Sequence, residues 1–536
     1  MRIEGVLDTR RPRLLLTLLC LALWTPGFFT LPPGDRDESR FVQASKQMIE
    51  TGDYVRIMNG TEPRNRKPIG IYWLQVPFAA TAQATGLATV NPVWPYRIPS
   101  MLGAWVAVLA CFGFGQGIVG RRAALLAAGM LAACALLVTE AHIAKTDAAL
   151  LGATTVAMGV LARAYLDPRR LSAGMAAAFW LAVGAGVLLK GPITPMVAGL
   201  AALALVVADR RAGWLRGLRA GWGVPLMLLV VLPWFVAIGV ATEGRFFADA
   251  VGGDLARKLA SGDDAHWGPP GLHLLLLPIL LFPATAALPG AIVLAWQERR
   301  TPAVRMLLAW IVPAWLVFEA VPTKLPHYTL PLYPAVCLLL AYAVLSGVGT
   351  RSARSGAVLA VVGAALLAGA GVVAPVLLHL SPWLGAPAFV AAVVVGGAAM
   401  RGWAPRGAVA ATVLAPLVYA AMLGWELPRL WPLWLSPRVV ELLPPRRPVG
   451  AVGYSEPSLM MLAGTDTRWL LAADGAAALR AGTVAALVVS DRDLPAVLAA
   501  LAGEAGGEGR FDRVEVPGYN YSRGRPVVLT VLSPRK

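Results

Sequence analysis

Two charged clusters lie close together early in the chain. Asp35, Asp37 and Glu38 form an acidic run, and Arg64, Arg66 and Lys67 form a basic one. Carboxylates facing cations suit a group transfer: the acid activates an acceptor while the cations hold an anionic leaving group. The same residues also describe a solvated polar loop, with Asp37 as dipole partner of a helix over 38–50. Asp35-Arg36-Asp37 is a DxD triplet, a pattern that can hold a divalent metal. Asp491-Arg492-Asp493 repeats it, and no oxygen-rich ligand set of the kind Mg²⁺ or Mn²⁺ requires accompanies it.

The elements that position these charges follow from composition. The chain has 536 residues, 57% hydrophobic and 14% charged. A soluble domain carries roughly 25% charged residues, so this is a polytopic helical membrane protein. About thirteen segments reach the roughly 20 apolar residues needed to cross a bilayer. They lie near 13–32, 98–119, 123–141, 144–164, 172–189, 192–208, 223–241, 271–297, 303–320, 329–347, 355–378, 385–400 and 407–425. The run 13–32 reads as a first anchor, not a cleaved signal peptide.

The net charge is +17, and the arginines fall in alternate loops. Arg10, Arg11 and Arg13 begin the series. Arg121 and Arg122, Arg163 to Arg170, Arg210 to Arg219, Arg299 to Arg305, Arg351 and Arg354, and Arg401 and Arg406 continue it. The positive-inside rule puts these loops and the N-terminus in the cytoplasm, and the C-terminus outside. Segment 69–88 is apolar enough to cross, but a crossing there would invert every later basic loop. It is therefore expected to lie at the outer interface, with Tyr72 and Trp73 at headgroup depth. Helix 38–50 is expected there too, with Phe41, Val42, Ser45, Met48 and Ile49 on one face.

The long or polar outer segments are 33–97, 242–270 and the tail after 426. Short outer turns near 142–147, 190 and 321–328 place ionisable groups at membrane depth, which marks a site when they converge and is otherwise met by snorkelling or structural ion pairs. The histidines, His142, His266, His273, His327 and His379, have no zinc spacing. His266 and His327 are candidates to hydrogen-bond substrate; His273 and His379 read as structural. Cys20, Cys111, Cys134 and Cys337 sit in apolar runs and read as packing residues. No metal site is expected.

Three blocks of the first outer loop resemble GT-C membrane glycosyltransferases: Asp37-Glu38-Ser39-Arg40-Phe41, then Glu50-Thr51-Gly52-Asp53-Tyr54, then Lys67-Pro68-Ile69-Gly70-Ile71-Tyr72-Trp73. They are similar to the aminoarabinose–lipid A transferases and the related protein mannosyltransferase-like family. There the loop reads approximately D-E-x-R-[YF], E-x-G-D-[WY] and K-P-x-x-x-Y-W. Lys145-Thr146-Asp147, Leu189-Lys190-Gly191-Pro192, Asp254 to Arg257 with His266, and Lys324-Leu325-Pro326-His327-Tyr328 continue the likeness more weakly.

The resemblance implies an all-α polytopic fold and a polyprenyl-phosphate sugar donor, with a lipid, glycan or protein acceptor. It also implies a site at the outer face of a bacterial inner membrane. Asp37 matches the catalytic carboxylate and Asp147 a second carboxylate. Lys67 and Arg257 match positions holding the donor phosphate, and Lys324 and Tyr328 line the donor pocket. Glu38, Arg40, Tyr72 and His266 belong to the matched blocks and are expected to bind substrate. No cofactor is expected beyond the co-substrate. Arg66 stands where the lipid A enzymes often carry Glu, which adds positive charge and weakens a metal role. The acceptor-binding features of those enzymes have no recognisable counterpart here, so the likeness does not carry aminoarabinose over as the sugar.

On this reading Lys67, Arg257 and Lys324 stabilise the leaving phosphate. Asp37 acts as general base on an acceptor hydroxyl, or as an electrostatic stabiliser if the acceptor is itself a phosphate. Attack opposite the phosphate predicts inversion. Asp147 orients the acceptor or positions Lys145. The expected organisation is a GT-C-like catalytic domain over 1–425, with 33–97 as its first outer loop. An interfacial linker over 426–447 and a small extracytoplasmic α/β domain over 448–536 follow. The stretch 518–525 (GYNYSRGR) faces headgroups or glycan, or is simply an exposed hairpin. A transporter or flippase for a lipid-linked anion is the alternative function. It would place charges and broken helices near the midplane in two related halves, and no internal repeat is visible. A non-catalytic scaffold is a third.

Overall fold

The computed structural model describes residues 3–89, 91–255, 267–445, 448–502 and 511–535. Among them, nine helices are long and apolar enough to cross a membrane, and Arg121–Ala133 with Ala135–Ala141 forms a tenth span bent by 59°. The other three of the thirteen segments read from hydropathy form helices shorter than a full span, Pro12–Trp24, Ile193–Asp209 and Ala284–Gln297. The first is α1. Small residues let these helices approach closely. A Cβ on Gly152 of α7 (Thr146–Leu166) would lie 2.7 Å from the carbonyl oxygen of Gly103 in α4 (Trp94–Val119).

The basic turns gather at one end of the bundle. Arg122 pairs with Asp8 at 3.2 Å, Tyr165 and Arg305 meet on Asp209, and Tyr342 donates to Glu298 at 3.0 Å. Residues 33–93 cap the opposite end. There α2 (Asp37–Thr51) packs on α3 (Gly70–Ala84), with a two-stranded hairpin, β1 (Met58–Asn59) and β2 (Glu62–Pro63), between them. Ser45 donates to Gln75 at 2.7 Å across the helix pair. With 15 residues, α3 is too short to span. Trp73 is exposed, but Tyr72 is fully buried with its ring 5.5 Å from Phe41. Tyr72 therefore does not face lipid headgroups: it is packed inside the protein.

Behind α2 lies a charged anchor. Glu38 and Arg97 of α4 are 3% and 2% exposed. The guanidinium donates to both Glu38 oxygens at 2.8 and 3.0 Å and to the carbonyls of Phe28, Leu31 and Pro32. The carboxylate also accepts from the Gly34 and Ala144 amides. Arg97→Leu would leave this carboxylate buried without its cation, and such losses run to about 3–5 kcal/mol. The expected result is a clearly lowered unfolding midpoint in detergent; a midpoint equal to wild type would show the pair to be dispensable.

A small α/β domain ends the chain. Its sheet runs in the order β4 (Arg468–Trp469), β3 (Val449–Val452), β5 (Ala486–Ser490), β7 (Arg525–Pro534) and β6 (Phe511–Asn520). β3 pairs in parallel with β4 and β5, and β7 antiparallel with β5 and β6. β3 and β5 are buried throughout, as expected of central strands covered on both faces.

Candidate active site

A cavity of about 410 Å³ opens where the capping segment meets the helix ends. Asp37 lines it from the first turn of α2, with Arg40 and Phe41 one turn on. The β1–β2 hairpin and the turn after it contribute Asn59, Glu62, Arg64, Arg66 and Lys67. Pro68 restricts the backbone of Lys67 before it. Gly70 then lets α3 start against the end of α8 (Ala173–Lys190), where a Cβ would lie 2.7 Å from the Leu188 carbonyl.

The floor is a buried ion network. Asp147 lies in the first turn of α7 and Lys190 in the last turn of α8, the ends at which the helix dipole favours each charge. Their side chains pair directly. Lys145 stands 3.7 Å from Asp147 and 3.0 Å from Glu140. His327 reaches Lys145 at 3.3 Å, and Lys190 sits over the Tyr328 ring at 5.3 Å. Glu140 and Asp147 are 3% and 5% exposed. The cavity is lined by six lysine or arginine side chains (Arg40, Arg64, Arg66, Lys67, Lys145 and Lys190) and by the carboxylates of Asp37, Glu62 and Asp147. Two of those cations are already engaged by Asp147, so the rim is cationic. Burial foremost, with Arg64 adding and Asp37 opposing, holds the Arg40 guanidinium below its ordinary range.

Asp37, Arg40, Lys67, Asp147 and Tyr328 thus come together as the sequence suggested. Three other expected substrate contacts do not. Glu38 is spent on Arg97. Tyr72 is packed behind Phe41. Lys324 turns away, its amine donating to the carbonyls of Gly268 at 3.0 Å and Val321 at 2.9 Å, where it ties the Trp267–Thr323 bridge together. Lysine at that position clamps backbone, whereas Lys190 lines the cavity. Arg257 and His266 lie outside the described residues. Glu62 and Glu140 were not foreseen; Glu140 lies within an apolar run, where a charge at membrane depth is itself the signal.

The carboxylates of Asp35 and Asp37 do not converge. Asp35 lies beside Ser458 and Glu456, and burial, joined by Glu456 and opposed by Ser458, pushes it up to about 6. Of the triplet's two carboxylates, only that of Asp37 lines the cavity. His273 contacts the Leu325 carbonyl at 3.1 Å and Glu319 at 3.3 Å, a structural placement.

The model of the dolichyl-phosphate-mannose-protein mannosyltransferase family matches residues 38–245. The undecaprenyl phosphate-alpha-4-amino-4-deoxy-L-arabinose arabinosyl transferase of Pseudomonas aeruginosa (strain LESB58) is 29% identical over 405 residues, 73% of this chain and 71% of that one. ArnT from Cupriavidus metallidurans superposes with a TM-score of 0.75 in its apo state, at 21% identity over 96% of this chain and 97% of that one. Its form bound to undecaprenyl phosphate gives 0.73. The archaeal oligosaccharyltransferase AglB from Archaeoglobus fulgidus gives 0.53 at 12% identity, over 94% and 72% of the two chains. With a bundle of apolar spans capped by a charged cavity, the chain is an integral membrane glycosyltransferase with a GT-C-like fold. Within that class it resembles the aminoarabinose–lipid A transferases and the protein mannosyltransferase-like family.

Proposed function

We propose that this enzyme moves a sugar from a polyprenyl-phosphate donor to a lipid, glycan or protein acceptor at the outer face of a bacterial inner membrane. The observation that carries this is one cavity lined both by an exposed carboxylate, Asp37, and by several cations that include Lys67. The cavity lies at the end of the bundle away from the basic turns. By the positive-inside rule that end is extracytoplasmic, which puts the N-terminus in the cytoplasm and the C-terminal domain outside.

In the transfer step, Lys67 and the arginine rim hold the donor phosphate. Charge-assisted hydrogen bonds favour the leaving group as the bond from the anomeric carbon to the phosphate oxygen breaks. An acceptor hydroxyl oxygen attacks the opposite face of the sugar, and Asp37 takes its proton. The sugar inverts and polyprenyl phosphate departs. Arg40 and Tyr328 border the sugar. Asp147 holds Lys190 and Lys145 in place at the floor. The charged groups sit at helix ends beside the capping segment, as a transferase at the membrane edge needs and unlike the midplane site of a transporter.

Reconstitution in liposomes with radiolabelled polyprenyl-phosphate sugars tests this. Label should move into a lipid, glycan or protein fraction with release of polyprenyl phosphate. Vectorial movement of intact donor across the bilayer, without transfer, would instead establish a flippase.

A further inference from the structure

The C-terminal domain touches the capping segment next to Asp37. The turn between β6 and β7 carries Tyr521 and Ser522. The phenolic oxygen of Tyr521 accepts from the Asp35 amide at 2.5 Å, and the Arg36 guanidinium donates to the Ser522 carbonyl at 2.5 Å. The turn is itself braced, because Asn520 donates to Glu456 at 2.9 Å and Arg523 lies 3.5 Å from the same carboxylate.

The local backbone explains why such contacts matter. Arg36, immediately before α2, has φ 63 and ψ −99, and no side chain caps the helix. A residue with a Cβ enters that region only when its surroundings hold it there. On one side of Asp37 the holding is done by Glu38 on Arg97; on the other it is done by Tyr521 and Ser522. Asp37, exposed to the cavity, is suspended between them. The rest of the domain's grip on α2 lies further along the helix. Gln43 donates to Thr465 at 2.8 Å, Thr465 to Glu50 at 2.6 Å, and Lys46 to the Met461 carbonyl at 2.9 Å.

We infer that the β6–β7 turn is a positioning element for the transfer step, with Tyr521 and the Arg36–Ser522 contact fixing the direction in which Asp37 meets the acceptor. This rests on the reading of Asp37 as the acceptor-activating carboxylate. It gives the C-terminal domain a part in turnover and not only in folding. Displacements near 1 Å at a reacting group can cost about 10²-fold in rate, so losing one of two tethers should cost on the order of tenfold.

The test uses the full-length protein in liposomes. Tyr521→Phe should lower kcat on the order of tenfold, with the donor KM and the unfolding midpoint unchanged. Arg36→Gly accepts the same φ without strain but lacks the guanidinium. It should lose kcat similarly without losing stability. Thr465→Val, which weakens the distant part of the same interface, should keep wild-type kcat. Wild-type kcat in both tether variants, or an equal kcat loss in Thr465→Val, would overturn the positioning role. If Asp37→Asn is inactive while both tether variants are normal, positioning alone falls. If Asp37→Asn turns over normally, the reading of Asp37 falls first.

Discussion

Asp37→Asn abolishes sugar transfer and leaves the protein folded. The side chain is exposed at the cavity mouth, so its replacement by an isosteric amide removes no buried partner. The unfolding midpoint should not move. An amide cannot take the acceptor proton, and general-base assistance is typically worth about 10²–10⁴-fold in rate. The donor should bind at least as well as to wild type, because a negative charge near the phosphate has gone. Transfer from labelled donor, donor binding and thermal unfolding together check this. Turnover near the wild-type rate would remove Asp37 from the mechanism.

Asp147→Asn has the opposite profile and damages two properties at once. Asp147 is 5% exposed and contacts Lys190, Lys145 and His327. Neutralising it leaves two ammonium groups in a poorly hydrated pocket with Glu140 as their remaining carboxylate. Breaking a buried ion network in this way costs about 3–5 kcal/mol. The repelled lysines also leave the floor of the cavity, and loss of a preorganised electrostatic contact costs about 10²-fold in rate. The expected outcome is a lower unfolding midpoint together with weaker donor binding and slower transfer. A variant with normal stability and reduced rate would instead make Asp147 a direct participant, like Asp37. Normal values for both would show the network to be redundant.

The pair of experiments separates two carboxylates that the sequence presents alike. Both were legible as site candidates, Asp37 from its block of the first outer loop and Asp147 from its place at the start of a span. Their different surroundings were not. Asp37 opens α2, and the anchoring groups on either side of it, Arg36 and Glu38, point elsewhere. Asp147 is enclosed because α7 packs tightly on α4 through Gly103 and Gly152 and meets the end of α8.

The amino-acid order by itself determined most of the spans, the alternation of basic turns, the capping segment with its two short helices and a small α/β domain at the end of the chain. These are local properties: hydropathy over a window, charge at helix ends and period along a strand are all set by neighbours in the chain. Only the tertiary structure decided which of several similar charges meet. Lys190 ends a helix and Lys324 follows one in a loop, yet Lys324 clamps two carbonyls and Lys190 faces the cavity. Glu38 and Asp37 are adjacent, yet one is locked on Arg97 and the other lines the site. The choice between them depends on helix rotation and on close approaches between segments far apart in the chain, and no window along the sequence contains both partners.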